Sequence, residues 1–131
     1  FSILIEMRPD SSEFLSDRAD AYLSIGEIDK AISDLTKAID LGDIYCHLPR
    51  ASAYAQKGEY DRAIADYTKE IELCQQDPIA FYERGHAYKA LGRKHEAIAD
   101  FEAFISLAKE PETVEQAKRE VERLCLNNSR D

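Results

Sequence analysis

One pair of residues in this sequence has types and spacing that could carry out proton transfer. Glu83 and His86 stand three residues apart, which places both on one face of a helix, where they could act as acid and base. Catalysis also requires a nucleophile with its base, a glycine-rich phosphate loop or a set of metal ligands. The sequence contains none of these motifs. We therefore predict that the protein is not an enzyme and uses no metal and no cofactor.

The cysteines indicate the cellular compartment of the protein, and the net charge limits the classes of partner that it can bind. Cys46, Cys74 and Cys125 are odd in number and widely spaced, so the sequence predicts buried, reduced thiols in a cytoplasmic protein. The net charge of -9 would repel nucleic-acid phosphates and anionic membranes, which favours basic peptides as partners. An apolar run of about 18 residues, the length that spans a membrane, does not occur.

Three arginines each stand sixteen residues before an aspartate. The pairs are Arg18 with Asp34, Arg50 with Asp66, and Arg84 with Asp100. Each pair can meet if the intervening chain folds into a hairpin of two helices. The recurrence predicts three structural ion pairs whose contribution to stability depends on burial.

The elements that must position these residues recur along the chain. The stretch from Phe81 to Phe101 has a counterpart 34 residues earlier and another 32 residues before that. Each copy contains two amphipathic segments of about a dozen residues, separated by a glycine, with apolar residues at helical spacing. Each copy is therefore predicted to be a helical hairpin, and repetition at this period indicates a solenoid.

The third copy resembles the tetratricopeptide repeat. The residues that carry the resemblance are Phe81, Arg84, Gly85 and Tyr88, followed by Ala97 and Phe101. The resemblance covers nearly the whole chain. It implies an all-α fold, an α-solenoid of stacked antiparallel helical hairpins with a C-terminal capping helix.

The predicted organisation assigns a role to each segment of the chain. The segments are a second-helix remnant of a preceding repeat at 1–9, repeats at 12–43, 44–77 and 78–111, a capping helix at 112–127 and a frayed tail at 128–131. Because residues 1–9 are in register with the second half of a repeat, we expect the chain to be part of a longer array.

Two residues depart from the repeat pattern. Pro49 lacks an amide hydrogen, so the first helix of the second repeat should begin late, near His47, or be kinked in its first turns. Glu70 occupies a column that holds Ala38 in the first repeat and Phe104 in the third. The sequence offers no reason for an acid there.

Family resemblance assigns the binding site to a concave groove lined by the first helix of each repeat. The face concerned follows three, four, three spacing in this sequence. Its candidate residues are Glu13, Ser16, Asp20 and Leu23 in the first repeat, Tyr45, Leu48 and Ser52 in the second, and Ile79, Tyr82, His86 and Lys89 in the third. These residues are either a peptide-binding surface or simply solvated.

The best-known ligand of the family, the C-terminal carboxylate of a chaperone tail, is not expected here. Lys, Asn and Arg side chains hold that carboxylate in the family. The matching positions in this sequence are Ser16, Asp20, Pro49, Ile79 and Glu83. None of them supplies a cation, and two are acidic.

The sequence thus predicts a protein-protein interaction scaffold that binds a peptide or protein segment with basic and apolar residues. The alternative is a homo-oligomerisation module that uses the exposed terminal helices, including the N-terminal edge at 1–7. Neither hypothesis involves nucleic acid or a membrane.

Overall fold

The computed structural model describes the backbone of residues 11–130 and the side chains of residues 11–126, so the predicted helix at 1–9 lies outside the described residues. Within residues 11–130 every regular element is an α-helix. The helices are α1 (Ser12–Ser24), α2 (Ile28–Asp40), α3 (His47–Lys57), α4 (Tyr60–Leu73), α5 (Pro78–Ala90), α6 (Lys94–Leu107) and α7 (Pro111–Arg130). The predicted helical hairpins are confirmed.

Two compact units make up the chain, one ending at Asp66 and one beginning at Tyr67, so the boundary falls within α4. In the first unit α1 packs against α2, and α2 packs against α3. The buried core there consists of Leu15, Ala19, Ala31, Leu35, Ala38 and Cys46. In the second unit α5 packs against α6, and α6 packs against α7. Ala97, Phe101 and Leu124 form a core cluster of that unit.

Local chemistry fixes where the first helix of each repeat begins. The Ser11 hydroxyl accepts a hydrogen bond of 3.1 Å from the Phe14 amide and caps α1. Asp77 caps α5 in the same way, with Pro78 at the first helical position. Helix α3 begins at His47, which confirms the predicted late start. Pro49 is its third residue, where an amide has no intrahelical partner, so the proline costs no helical hydrogen bond.

Glycine serves two different purposes in the hairpins. Gly58 ends α3 with φ at 84°, in the left-handed region that other residues rarely adopt. Gly85 lies in the middle of α5, where a Cβ atom would stand 2.9 Å from the ring of Phe101. Its missing side chain therefore allows α5 and α6 to approach closely.

The last helix packs as a cap on the second unit and is longer than predicted. It runs to Arg130, whereas a helix to residue 127 and a tail from 128 were expected. Ala117 and Leu124 are buried, and Glu115, Lys118 and Arg119 are exposed, so one face of the helix is apolar and the opposite face is polar. No helix in the part of the chain that the structure describes is long and apolar enough to cross a membrane.

The prediction of buried thiols is right for Cys46 and wrong for Cys74 and Cys125, which are exposed. Cys74 follows the last residue of α4 and lies in the linker before α5. Cys125 adjoins the buried Leu124, and adjacent residues of a helix point in directions about 100° apart. Cys125 therefore points away from the face that buries Leu124.

Candidate functional site

The three predicted ion pairs form the framework on which the candidate site is built. The Nε and Nη2 atoms of Arg84 donate bonds of 2.7 Å each to the carboxylate of Asp100. Arg18 bonds Asp34 through the same two atoms at 2.7 Å. Each aspartate is buried. These bidentate bonds confirm the prediction, and they raise the pKa of each guanidinium because the carboxylate stabilises its charged form.

The middle pair, Arg50 with Asp66, is part of a wider network. Arg50 donates to both carboxylate oxygens at 2.7 and 2.8 Å. It also donates to the Thr36 hydroxyl at 3.1 Å, and His47 Nδ1 lies 3.2 Å from Asp66 Oδ1. The buried carboxylate therefore ties the first turn of α3 to α4.

A tyrosine one turn after each arginine completes this framework. The guanidinium carbons of Arg18 and Arg84 lie 5.7 Å from the ring centroids of Tyr22 and Tyr88, and the second repeat has the same arrangement. These distances are those of cation–π contacts. Arginine, tyrosine and the small buried residues thus occupy the packed side of each first helix.

Candidate residues of the first unit have different surroundings. Glu13 and Asp20 are exposed on α1, and Ser16 is partly buried between them. Leu23 packs against the core of the unit. Part of the predicted surface on α1 is therefore acidic and open to solvent.

Helix α3 carries only two of its three candidates. Leu48 and Ser52 are partly buried on the helix. Tyr45 lies before the helix begins, and 80% of its surface is exposed. Its amide donates a bond of 2.8 Å to Asp43 Oδ1, which fixes the linker that presents the ring.

In the second unit, candidates on α5 are part of an aromatic cluster. The Tyr82 ring centroid is 4.6 Å from that of His86 and 4.7 Å from that of Phe104. His86 in turn lies 5.0 Å from Phe101. Lys89 donates to Glu120 of α7 at 2.7 Å. Only Ile79 among the four is largely exposed.

The possible acid–base pair has a structural explanation. Glu83 Oε1 accepts a hydrogen bond of 2.8 Å from the buried Tyr67 hydroxyl. Burial among the aromatic rings lowers the pKa of His86, and the nearby ammonium of Lys89 lowers it further. Both side chains therefore have partners within the second unit: Glu83 bonds to Tyr67, and His86 packs on Tyr82 and Phe101. No group of three or more potential metal ligands occurs among the described residues.

A cavity of about 600 Å³ opens beside Tyr82 in the second unit. Its lining comes from Gln76, Pro78, Ile79, Tyr82, Phe104, Leu107, Ala108, Lys109, Glu110 and Thr113. Ile79 and Tyr82 were predicted from the sequence, whereas the contribution of α6 and of the linker to α7 was not. The signal that could have revealed it is Phe104, a large residue in a column that holds Ala38 in the first repeat.

The other irregular residue in that column, Glu70, is paired with a second acid. Burial, together with the hydrogen bond to Asp77 and its charge, raises the pKa of Glu70 to about 7. The Glu70 carboxyl group can therefore keep its proton near neutral pH. This contact links the end of α4 to the residue that caps α5.

Comparison with known proteins identifies the repeat. Family models match at residues 12–41 and 79–111, as a tetratricopeptide repeat, and at residues 51–92, as a TPR repeat. No curated protein matches the chain in sequence.

Solved structures of similar fold cover most of the chain. The first TPR of Spaghetti (RPAP3), bound to the HSP90 peptide SRMEEVD, is 26% identical with a TM-score of 0.80, covering 90% of this chain and 93% of that one. The second TPR of the same protein, bound to the same peptide, is 30% identical with a TM-score of 0.71, covering 74% and 92%. The Arabidopsis OM64 TPR domain is 26% identical with a TM-score of 0.79, covering 86% and 94%. These similarities confirm the predicted fold class, an all-α solenoid of helical hairpins.

Proposed function

Because this chain belongs to the tetratricopeptide repeat family, we propose that it is a non-catalytic scaffold that binds a peptide or protein segment on the exposed faces of its first helices. The faces concerned are those of α1 and α3 in the first unit and of α5 in the second. The observation that carries the proposal is the apolar cavity beside Ile79 and Tyr82, two of the residues predicted to bind. Ligand sites in proteins are typically concave and largely apolar.

The ligand differs in charge from the peptide that the RPAP3 domains bind. That peptide, SRMEEVD, is acidic. At the positions that match the family's carboxylate clamp this chain has an exposed carboxylate, Asp20, and a carboxylate bonded to Tyr67, that of Glu83. Like charges facing each other across an interface disfavour binding. The proposed ligand therefore carries basic and apolar residues.

The exposed thiol of Cys74 supports a cytoplasmic location. This residue is accessible to solvent in the linker after α4. Such thiols persist in a reducing compartment and tend to oxidise outside it.

Self-association is a second candidate function. Leu126 on the capping helix is exposed over 62% of its surface. An exposed apolar residue on the outer face of a helix can take part in a contact between copies. Light scattering on the wild-type chain and on Leu126→Glu distinguishes this function from peptide binding.

Selection from a random peptide display library tests the proposed function. We expect the selected peptides to combine Lys or Arg with apolar residues, and to shift backbone amide NMR signals on α1, α3 or α5. Two synthetic peptides, SRMEEVD and SRMKKVK, in which lysine replaces each of the three acidic residues, provide a matched comparison. The basic form should bind more tightly. Signal shifts confined to the outer faces of α2, α4 and α6 would contradict the proposal.

A further inference from the structure

We propose that the cavity of the second unit is an anchor pocket for one bulky apolar side chain of the partner, next to a Lys or Arg of the same segment. This inference rests on the proposed function, and it specifies the chemistry of the ligand. We call this cavity, which is lined mainly by α5, α6 and the linker between α6 and α7, the anchor pocket.

The floor of the anchor pocket is apolar and already formed. Tyr82 and Phe104 lie side by side, with ring centroids 4.7 Å apart and an angle of 46° between the rings. Tyr82 is also held edge-on by His86. Packed neighbours fix the orientation of these rings before a ligand binds. Binding therefore costs little side-chain conformational entropy, which favours affinity.

The open wall is formed by Ile79 and by the linker. Ile79 keeps 52% of its surface exposed on the first turn of α5. Helix α6 ends at Leu107, and Ala108 then adopts an extended conformation with ψ at 147°. The chain passes through Lys109 and Glu110 before α7 begins at Pro111. This extended linker leaves space between the ends of the three helices.

The first and third repeats differ at the position of Phe104. Ala38 occupies the position of Phe104 in the first repeat and is fully buried in one core cluster with Cys46. The corresponding column of the first unit is thus filled by the chain's own side chains. In the third repeat the larger Phe104 remains buried, yet a cavity remains beside it.

The size of the anchor pocket suits a side chain and the backbone that carries it. Its volume of about 600 Å³ is within the range of ligand sites, roughly 300 to 1,000 Å³. Aliphatic and aromatic groups gain most from such a lining because they leave water without losing hydrogen bonds.

Charged residues near the opening of the anchor pocket indicate which ligand residue fits beside the bound apolar side chain. The lining includes Lys109 and Glu110, and the segment that supplies them, 108–113, also contains Glu112, so it has two acids and one base. Glu110 and Glu112 are exposed. A cation on the ligand next to the apolar side chain therefore meets an excess of carboxylates.

The test uses short peptides that differ at a single position. The host is a Gly/Ser peptide with a central Lys-X-Lys, where X is Leu, Phe or Ala, and a further version has Gln in place of both lysines. Each peptide is titrated into the full chain, with the backbone amide signals of Tyr82 and Leu107, two lining residues that every variant keeps, as NMR reporters. We expect the Leu and Phe peptides to bind about tenfold more tightly than the Ala peptide. The Gln version should bind more weakly than its Lys counterpart.

Variants of the protein test whether the peptides bind in the anchor pocket. Ile79→Ala should weaken binding of the Leu peptide severalfold, whereas Leu91→Ala, an exposed leucine just after the same helix, should not. The anchor pocket would be refuted if the Leu and Ala peptides bound with equal affinity, or if Ile79→Ala did not change the affinity for the Leu peptide. Neither result would contradict the proposed function. If neither these peptides nor any from the random library bind, both proposals are wrong.

Discussion

Arg84 and Asp100 show what burial does to an ion pair. Only 17% of the Arg84 side chain and 5% of the Asp100 side chain are exposed, so removing either partner leaves a desolvated charge. We expect Arg84→Ala to cost roughly 3 to 5 kcal/mol in the free energy of unfolding. A double-mutant cycle with Asp100→Ala, followed by urea denaturation, should give a coupling of about 1 to 3 kcal/mol.

Arg18 and Asp34 provide the control for this experiment. Their bond lengths are the same, but 39% of the Arg18 side chain is exposed, so water can screen the pair more effectively. The coupling should be smaller than for Arg84 and Asp100. Equal couplings in the two repeats would show that geometry, and not burial, determines the strength of the pair.

Single residues differ in how far the sequence predicts their environment. The sixteen-residue recurrence was sufficient to predict all three ion pairs, because both partners sit on regular helices at fixed spacing. Exposure of Cys74 and Cys125 could not be predicted from residue type alone. Cysteine is commonly buried, but here one lies in a linker and the other faces away from the core.

At the scale of the elements, Glu70 links the end of α4 to the start of α5 and should make stability depend on pH. Its pKa is raised from 4.5 to about 7, so the folded protein retains a proton that the unfolded chain has released between these pH values. Stability should therefore fall as pH rises through this range. Glu70→Gln removes the acid, and we expect it to raise the free energy of unfolding by about 1 kcal/mol at pH 8 and by much less at pH 5.

Urea denaturation at the two pH values measures this difference. Glu72→Gln is a matched control, since Glu72 is an exposed acid on the same helix. Stabilisation of Glu70→Gln by the same amount at both pH values would contradict the assignment, because it would show that the carboxyl group does not titrate in this range.

The hairpins were predictable as elements, and so was the late start of α3, because apolar periodicity, turn glycines and Pro49 act locally. The anchor pocket was not predictable in the same way. It depends on how Phe104 and Leu107 of α6 and the linker at 108–110 come together around Tyr82. That arrangement is a property of packing between elements, which helical spacing alone does not determine.

At the scale of the whole molecule, negative charge is concentrated in the first unit. Residues 1–66 contain 13 acids and 7 bases, whereas residues 67–131 contain 13 acids and 10 bases. A basic ligand is therefore attracted more strongly by the first unit than by the second. Because charges in solvent are screened over about 8 Å at physiological ionic strength, this attraction should act mainly at low salt.

Asp20 is the residue that tests this attraction most directly, since it is exposed on the α1 face predicted to bind. With the tightest basic peptide from the library selection, Asp20→Lys should weaken binding about tenfold at low salt and by less than about twofold at 1 M salt. Fluorescence anisotropy across a salt series gives both values.

The control variant is Asp61→Lys, which makes the same change in net charge at an exposed residue. Asp61 lies on α4, the second helix of its repeat, so this variant should have a much smaller effect on binding. If the two variants lose affinity equally, the net charge of the chain attracts the ligand and α1 has no special role. If only Asp20→Lys loses affinity, and only at low salt, the acidic face of α1 lies next to the bound ligand. The two variants have the same net charge, so net charge cannot explain the difference between them. Loss of the difference at high salt shows that the contribution of Asp20 is electrostatic.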